Sequence, residues 1–178
     1  MTRSGPPTVL VVLRRDGIEP PGLRDAVGDR VRLVFARSAD EVGQDGMAAA
    51  AAFVWDFRSR LIPEIIAAMP ALQWIHVAAV GVDASLSTDV RQRDVVLTNA
   101  RGVTAQAMAE YALAMMLYFA KDFGTTVRDQ ARATWKPRIS RNLADACLVL
   151  VGTGAVNQKL ACISTAIGTR VIGVARHP

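Results

Sequence analysis

The stretch Cys147-Leu-Val-Leu-Val-Gly-Thr-Gly-Ala-Val-Asn157 decides the fold, because it joins an apolar run, a glycine-rich loop and the start of an amphipathic segment. Residues 147–151 predict a buried strand, and the apolar spacing over 156–167 predicts a helix. In a strand–loop–helix unit that binds a dinucleotide, the first glycine allows the tight turn and the second lets the backbone approach the diphosphate. The third allows the helix to pack closely on the strand. Gly152 and Gly154 supply the first two, whereas Asn157 takes the place of the third.

The backbone of this loop predicts a cofactor site. Free N–H groups and the positive end of a helix dipole favour phosphate at a helix N-terminus. We therefore predict cofactor binding by five consecutive residues, Gly152, Thr153, Gly154, Ala155 and Val156. The Asn157 side chain is expected to push the helix away from the sheet, and overpacking of this kind costs about 1 to 3 kcal/mol.

The end of the next strand, predicted over 169–175 after a turn at Gly168, bears on the choice of cofactor. An Asp or Glu at this place would hold the ribose of NAD, whereas an arginine would accommodate the extra phosphate of NADP. The chain has Arg176 there and no carboxylate, which favours NADP. A solvated charge at a strand end is the alternative interpretation of Arg176.

Upstream of this unit, short β-rich runs alternate with helical spacings. Strands are predicted over 8–13, 31–36, 52–55, 73–78 and 95–98. Short helices are predicted over 20–27, 39–42 and 63–69. This alternation is typical of βαβ units around a parallel sheet, so the predicted fold class is α/β. Thr104 is a suitable N-cap for a long apolar helix over 105–121, which should be covered by core or subunit packing.

Composition and charge exclude several classes of protein. The net charge is +5 and the pI is about 9.9, yet the arginines are scattered, so a solvated surface is favoured over a nucleic-acid site. Cys147 and Cys162 lack metal-ligand spacing and are predicted to be small buried side chains. No apolar run approaches the roughly 20 residues that span a bilayer, and no secretory signal is evident. A cytoplasmic protein with no membrane partner is expected.

Four motifs in order resemble one enzyme family. They are Pro70-Ala-Leu-Gln-Trp-Ile-His-Val-Ala-Ala-Val-Gly-Val-Asp83, Val96-Leu-Thr-Asn-Ala-Arg-Gly102, Ala109-Glu-Tyr111 and the Gly152 loop. The chain resembles the D-isomer-specific 2-hydroxyacid dehydrogenases over nearly its whole length. The resemblance implies a flavodoxin-like substrate domain over residues 1–100. It also implies the start of a Rossmann cofactor domain, a doubly wound parallel sheet, over residues 101–178, with homodimers formed through that domain.

The same resemblance implies an activity and a substrate site. Such enzymes transfer hydride between NAD(P) and a small 2-hydroxy or 2-oxo acid of the glyoxylate or hydroxypyruvate type. The loop Ala79, Val80 and Gly81 would present backbone N–H groups to the substrate carboxylate, and glycine lets the backbone come close. Arg58 would lie near the same cleft, with a solvated arginine as the alternative.

The residues that would catalyse the reaction are not found by this resemblance. Hydride transfer to a 2-oxo acid needs a proton donor, a carboxylate that tunes it, and a cation. The family places its His, Glu and Arg in a later part of the cofactor domain, and neither His76 nor His177 matches that motif. His76 is expected to be a packed histidine and Glu110 a structural residue at a helix start. No catalytic residue is assigned.

The expectation is therefore a truncated and inactive chain whose Rossmann domain is incomplete and whose segment after Val103 needs a partner for stability. The alternative is a non-catalytic binding protein or partner subunit that uses the flavodoxin-like half.

Overall fold

The computed structural model describes residues 5–176 of the chain, so His177 lies outside the described residues. The described residues divide into two compact units, 5–101 and 102–176. Each unit is built on its own parallel sheet.

The first unit is a five-stranded parallel sheet. Its strands are β1 (Thr8–Val12), β2 (Arg32–Ala36), β3 (Ala51–Val54), β4 (Trp74–Val77) and β5 (Val96–Asn99). Their spatial order is β2-β1-β3-β4-β5, which is the flavodoxin-like order. In such a sheet the order reverses between β1 and β3, and ligands bind outside the carboxyl ends of the strands at that reversal. All five strands lie where the alternation in the sequence predicts them.

The helices of this unit are short. They are α1 (Leu23–Val27), α2 (Gly43–Met47), α3 (Leu61–Ile65) and α4 (Thr88–Gln92). The predicted helix over 39–42 is instead a 3₁₀ turn at Ala39–Glu41. Helices α2 and α4 were not predicted from the sequence. Helix α2 contains two glycines, which lower helix propensity. A Cβ on Gly46 would stand 2.6 Å from Val42 Cγ1 and 3.5 Å from Leu10 Cδ1, so glycine here allows α2 to lie against β1.

The main core cluster of the first unit lies on one face of its sheet. Leu10, Val54, Ile75 and Val77 point to this face and pack with the apolar residues of the loops and helices that cover it. Strand residues of the opposite face include Phe53, His76 and the half-exposed Trp74. The burial is therefore one-sided over β3, β4 and β5.

The second unit is a helical layer on a parallel strand pair. Its elements are α5 (Ala105–Ala120), α6 (Phe123–Ala131), β6 (Cys147–Val151), α7 (Ala155–Ala166) and β7 (Arg170–Val174). Ala109, Leu150 and Leu160 form its buried centre, where α5, β6 and α7 meet. The helix–strand–helix pattern predicted from residue 105 onward is present, and α6 is an additional helix.

One prediction for this unit is wrong. Cys147 and Cys162 are both exposed, because neither points into the small centre of the unit. Within this chain helix α5 buries only Ala105 and Ala109, and Phe119 is 78% exposed, so the predicted cover by another subunit stays a prediction. Thr104 precedes α5 but its side chain makes no capping hydrogen bond.

None of the helices within residues 5–176 combines the length and the apolar character required to cross a membrane.

Candidate functional site

The loop after β4 presents two backbone N–H groups in a fixed direction. The carbonyl of Ala79 accepts a hydrogen bond from Ala100 N–H at 2.9 Å. The carbonyl of Val80 accepts one from Asn99 Nδ2 at 2.6 Å. A trans peptide group is planar, so its N–H points opposite to its carbonyl. The N–H groups of Val80 and Gly81 therefore point away from the β5 end that holds the carbonyls.

These two N–H groups are available to a ligand. Within residues 5–176, neither the N–H of Val80 nor that of Gly81 donates to a protein acceptor. Both residues are exposed, and a Cβ on Gly81 would meet only Asp83 Oδ2, at 3.5 Å. Successive N–H groups that point the same way form an anion-binding concavity. The arrangement suits a carboxylate.

Asn99 was not singled out as a site residue from the sequence. It lies at the end of β5, and β4 and β5 pair so that Asn99 stands beside Val77. A polar amide at the end of an apolar strand next to the Ala79 loop is the signal that could have identified it.

The glycine-rich loop after β6 has the backbone that a close ligand approach requires. Gly152 has φ of +92°, a left-handed conformation that favours glycine. Its N–H donates to the carbonyl of Val174 at 2.7 Å, which joins the loop to the end of β7. Gly154 is the N-cap of α7, and a Cβ placed on it would have no heavy atom within 4 Å, so the space beside it is open.

Two side-chain amides hold the carbonyls of this loop. Asn157 Nδ2 donates to the carbonyl of Val151 at 3.0 Å and to that of Gly152 at 2.9 Å. Gln158 Nε2 donates to the carbonyl of Thr153 at 2.9 Å. The expectation that Asn157 pushes the helix off the sheet is wrong: its amide lies against the loop, and Leu160 of α7 still packs beside Leu150.

These hydrogen bonds orient the backbone N–H groups of the glycine-rich loop, as in the loop after β4. Because the carbonyls of Gly152 and Thr153 turn toward α7, the N–H groups of Thr153 and Gly154 point away from the helix. Ala155 and Val156 follow in the first turn of α7, where N–H groups have no partner within the helix. None of these four N–H groups donates to an acceptor in the part of the chain that the structure describes. The loop fits a diphosphate.

Arg176 lies at the same edge of the strand pair as this loop. It is exposed and follows β7 by two residues. Val174 pairs with Val151, so the end of β7 stands next to the start of the glycine-rich loop.

His76 is held on the face of the first sheet and not at its carboxyl edge. Its Nδ1 lies 2.9 Å from Thr98 Oγ1, a hydroxyl that also accepts from Trp74 Nε1 at 2.8 Å. Its ring centroid lies 5.7 Å from that of Phe53. These contacts support the predicted packing role. Within residues 5–176, no three His, Cys, Asp or Glu side chains are grouped so that they could hold a metal ion.

A sequence profile described as the D-isomer specific 2-hydroxyacid dehydrogenase catalytic domain matches residues 15–174. The chain belongs to this family. It is 28% identical over 110 residues to a D-lactate dehydrogenase of Treponema pallidum (strain Nichols), an alignment that covers 60% of this chain and 33% of that protein. The resemblance inferred from the four motifs is therefore confirmed.

Solved structures of the family share this fold. The D-lactate dehydrogenase of Aquifex aeolicus, crystallised with NAD and lactic acid, superposes with a TM-score of 0.73 at 20% identity, over 96% of this chain and 52% of that one. A D-isomer specific 2-hydroxyacid dehydrogenase of Xanthobacter autotrophicus Py2, crystallised with NADPH and MES, gives 0.74 at 23% identity, over 98% and 55%. The chain thus spans about half the length of these structures and a third of the Treponema protein. The predicted α/β fold class is confirmed.

Proposed function

We propose that this chain supplies the substrate-carboxylate loop and the cofactor-diphosphate loop of an NAD(P)-dependent D-2-hydroxyacid dehydrogenase that acts on small 2-oxo acids of the glyoxylate or hydroxypyruvate type. The first unit takes the substrate role and the second the cofactor role. The observation that carries the proposal is the common orientation of N–H groups in each loop, which an asparagine amide fixes in part by holding the carbonyl of Val80 in one loop and that of Gly152 in the other. A bound nicotinamide would exchange hydride with the carbon that bears the hydroxyl or keto oxygen.

In the first unit, the N–H groups of Val80 and Gly81 hold the substrate carboxylate. Hydrogen bonds from backbone N–H groups to a carboxylate are charge-assisted and stronger than neutral ones. Asn99 keeps the N–H of Gly81 aimed at the ligand through the carbonyl of Val80, and the Ala100 N–H does the same for the N–H of Val80 through the carbonyl of Ala79. Both hydrogen bonds are already formed, so binding carries little ordering cost.

Asn99→Ala is expected to lower the affinity for pyruvate about five- to tenfold, since a lost hydrogen bond of about 1 kcal/mol no longer fixes the Val80 peptide. Chemical-shift titration of the labelled chain measures the affinity. Thr98→Ala is the matched control on the same strand, because Thr98 holds Trp74 and His76 on the sheet face. Equal pyruvate affinity in the wild type and the Asn99 variant would contradict the role of Asn99.

In the second unit, the N–H groups of residues 153–156 hold the cofactor diphosphate at the N-terminus of α7. The helix is twelve residues long and presents the positive end of its dipole to this loop. Titration with NADPH and NADH, followed by tryptophan fluorescence, tests this site directly. Failure of both dinucleotides to bind would contradict the cofactor proposal.

Arg176 selects NADP in this proposal. The position beside the Gly152 loop suits contact with a phosphate on the adenosine ribose, and the alternative is a solvated charge. Arg176→Gln is expected to weaken NADPH binding about tenfold and to leave NADH binding unchanged, because only NADPH carries the extra phosphate. The two dissociation constants of the variant decide this, and an equal loss for both cofactors would contradict the assignment.

We further propose that these 178 residues bind ligands without turnover. Proton transfer to the developing alkoxide needs a general acid within hydrogen-bond reach. His76, the histidine in the described part of the chain, is engaged with Thr98 on the sheet face. Oxidation of NADPH by the purified chain in the presence of glyoxylate or pyruvate would overturn this statement.

A non-catalytic partner subunit is the second candidate, and the exposed apolar surface of the helical layer favours it. Its members are Met108, Tyr111, Tyr118, Phe119 and Phe123. Contiguous apolar surface of this kind marks an interaction site or an aggregation hazard. Sedimentation velocity of the chain separates the candidates: a well-defined oligomer, such as the homodimer that the family resemblance implies, supports a subunit contact, whereas undefined aggregates argue against it.

A further inference from the structure

The first unit has a basic cavity at the point where its strand order reverses. The cavity has a volume of about 910 Å³, is open to solvent, and is lined by the loops after β1 (14–16), β2 (37–38) and β3 (56–61). It therefore lies outside the carboxyl ends of β1 and β3, where ligands bind in open parallel sheets. Five arginines and three carboxylates line it, so its charge is positive.

Two of the five arginines are already neutralised. Arg14 pairs with Asp16 at 3.1 Å. Arg37 donates through its backbone N–H and its Nε to Glu41, at 2.9 and 3.0 Å. This side-chain hydrogen bond raises the pKa of Arg37 and lowers the pKa of Glu41. Neither guanidinium is the free donor of the cavity.

The other three arginines have unmet donors. Within residues 5–176, the guanidinium groups of Arg15, Arg58 and Arg60 form neither an ion pair nor a hydrogen bond. The Arg58 backbone N–H donates to Asp56 Oδ1 at 3.1 Å, and its guanidinium lies 5.5 Å from the centroid of the Phe57 ring. These contacts place Arg58 at the cavity without consuming its N–H donors. An arginine fork of this kind matches carboxylate or phosphate oxygens.

The cavity adjoins the loop that we assign to the substrate carboxylate. Val54 at the end of β3 pairs with Val77 at the end of β4, and Ala78 N–H donates to the carbonyl of Val54 at 3.0 Å. Paired strands lie about 4.8 Å apart, so the arginine-bearing loop and the Ala79 loop leave the sheet side by side. Both loops therefore start from neighbouring positions on the carboxyl edge of the sheet.

We propose that Arg15, Arg58 and Arg60 bind a second acidic group, carboxylate or phosphate, of a 2-hydroxy acid whose first carboxylate is held by Val80 and Gly81. The substrates would then include dianionic acids, which this chain would bind more tightly than simple monocarboxylates of the glyoxylate type. This inference rests on the proposed function of the Ala79 loop. The basic cavity supplies what that loop lacks, which is positive charge from side chains.

Chemical-shift titration of the ¹⁵N-labelled chain tests the inference with D-lactate, D-malate, D-3-phosphoglycerate and inorganic phosphate. We expect D-malate and D-3-phosphoglycerate to bind at least about tenfold more tightly than D-lactate, because charge-assisted hydrogen bonds add to the shared contact. The triple variant Arg15→Gln, Arg58→Gln and Arg60→Gln should bind all three acids with the affinity of D-lactate. Arg24→Gln, outside the cavity lining, is the matched control and should retain the preference.

The outcomes separate the two proposals. Equal affinities for D-lactate and the two dianions in the wild type, with shifts at Val80 and Gly81, would overturn the cavity assignment alone. Absence of shifts at Val80 and Gly81 with every acid would contradict the proposed function. Inorganic phosphate is the remaining probe. If it binds the cavity as tightly as D-3-phosphoglycerate but does not compete with that acid for the Ala79 loop, the cavity is a site for free anions, and the substrate assignment is overturned. The spectrum of each variant reports whether it is folded.

Discussion

Asn157→Asp is expected to lower the affinity for NADPH about a hundredfold, a loss of about 2.7 kcal/mol. The aspartate cannot donate to the carbonyls of Val151 and Gly152, which accept from the asparagine amide at 3.0 and 2.9 Å. Its charge would repel both carbonyl oxygens and the diphosphate, so the donors of the loop would lose their alignment. Fluorescence titration with NADPH measures the effect.

Folding stability provides the readout that separates positioning from simple disruption. A carboxylate in the first turn of a helix is favourable toward the dipole, so the variant should retain the thermal stability of α7. Asn157→Gly also removes the amide but adds no charge, so it should bind NADPH less tightly than the wild type and more tightly than the aspartate variant. NADPH affinity in the aspartate variant equal to that of wild type would show that the asparagine amide does not position the loop.

Leu10→Ala is expected to destabilise the first unit by about 2 to 5 kcal/mol, the range for removing a buried leucine side chain. Leu10 is 0% exposed and lies on β1, between β2 and β3. Its Cδ1 lies close to Gly46, the glycine that allows α2 to lie against β1. A domain of this size is stable by only about 5 to 15 kcal/mol, so the loss is a large fraction. Urea unfolding, followed by the fluorescence of Trp55 and Trp74, measures it.

Val96→Ala is the control for this core substitution. Val96 is 62% exposed on β5, so its truncation should cost less than about 0.5 kcal/mol. A loss in the Leu10 variant no greater than in the Val96 variant would contradict the one-sided core described for this sheet.

The elements that the sequence predicts well are those whose signal is local. The five strands of the first unit and the strand pair of the second are short apolar runs bounded by turn residues. Helix α2 was missed because its stability comes from packing: it contains two glycines, and one of them is required by the contact with Leu10 and Val42. Helix α4 was missed although it carries a local signal, the N-cap Ser87, whose hydroxyl accepts from the Val90 N–H at 3.2 Å. The exposure of Cys147 on β6 and of Cys162 on α7 was missed because the apolar pattern of one element does not reveal which of its faces another layer covers.

The two candidate loops show the same difference between what local sequence predicts and what tertiary contacts decide. Their positions follow from motifs, and their residue assignments remain predictions. The direction of their N–H groups depends on side-chain amides that lie elsewhere in the chain. Asn99 donates to the carbonyl of Val80 from the neighbouring strand, and Asn157 donates from α7 to the carbonyl of Gly152. The assignment of Asn157 as a packing defect was wrong for this reason.

By itself, the sequence determined the family, the α/β class and the places of the strands and of both loops, because glycines and apolar periodicity act within a few neighbouring residues. Only the tertiary structure decided which loop carbonyls are hydrogen-bonded by side-chain amides and which backbone N–H groups are left without a partner. It also decided that Arg15 and Arg58 line one cavity. The reason is physical: β1 and β3 are neighbours in the sheet although β2 lies between them in the chain. This strand order brings together arginines of the loops after β1 and β3 that are far apart in the sequence.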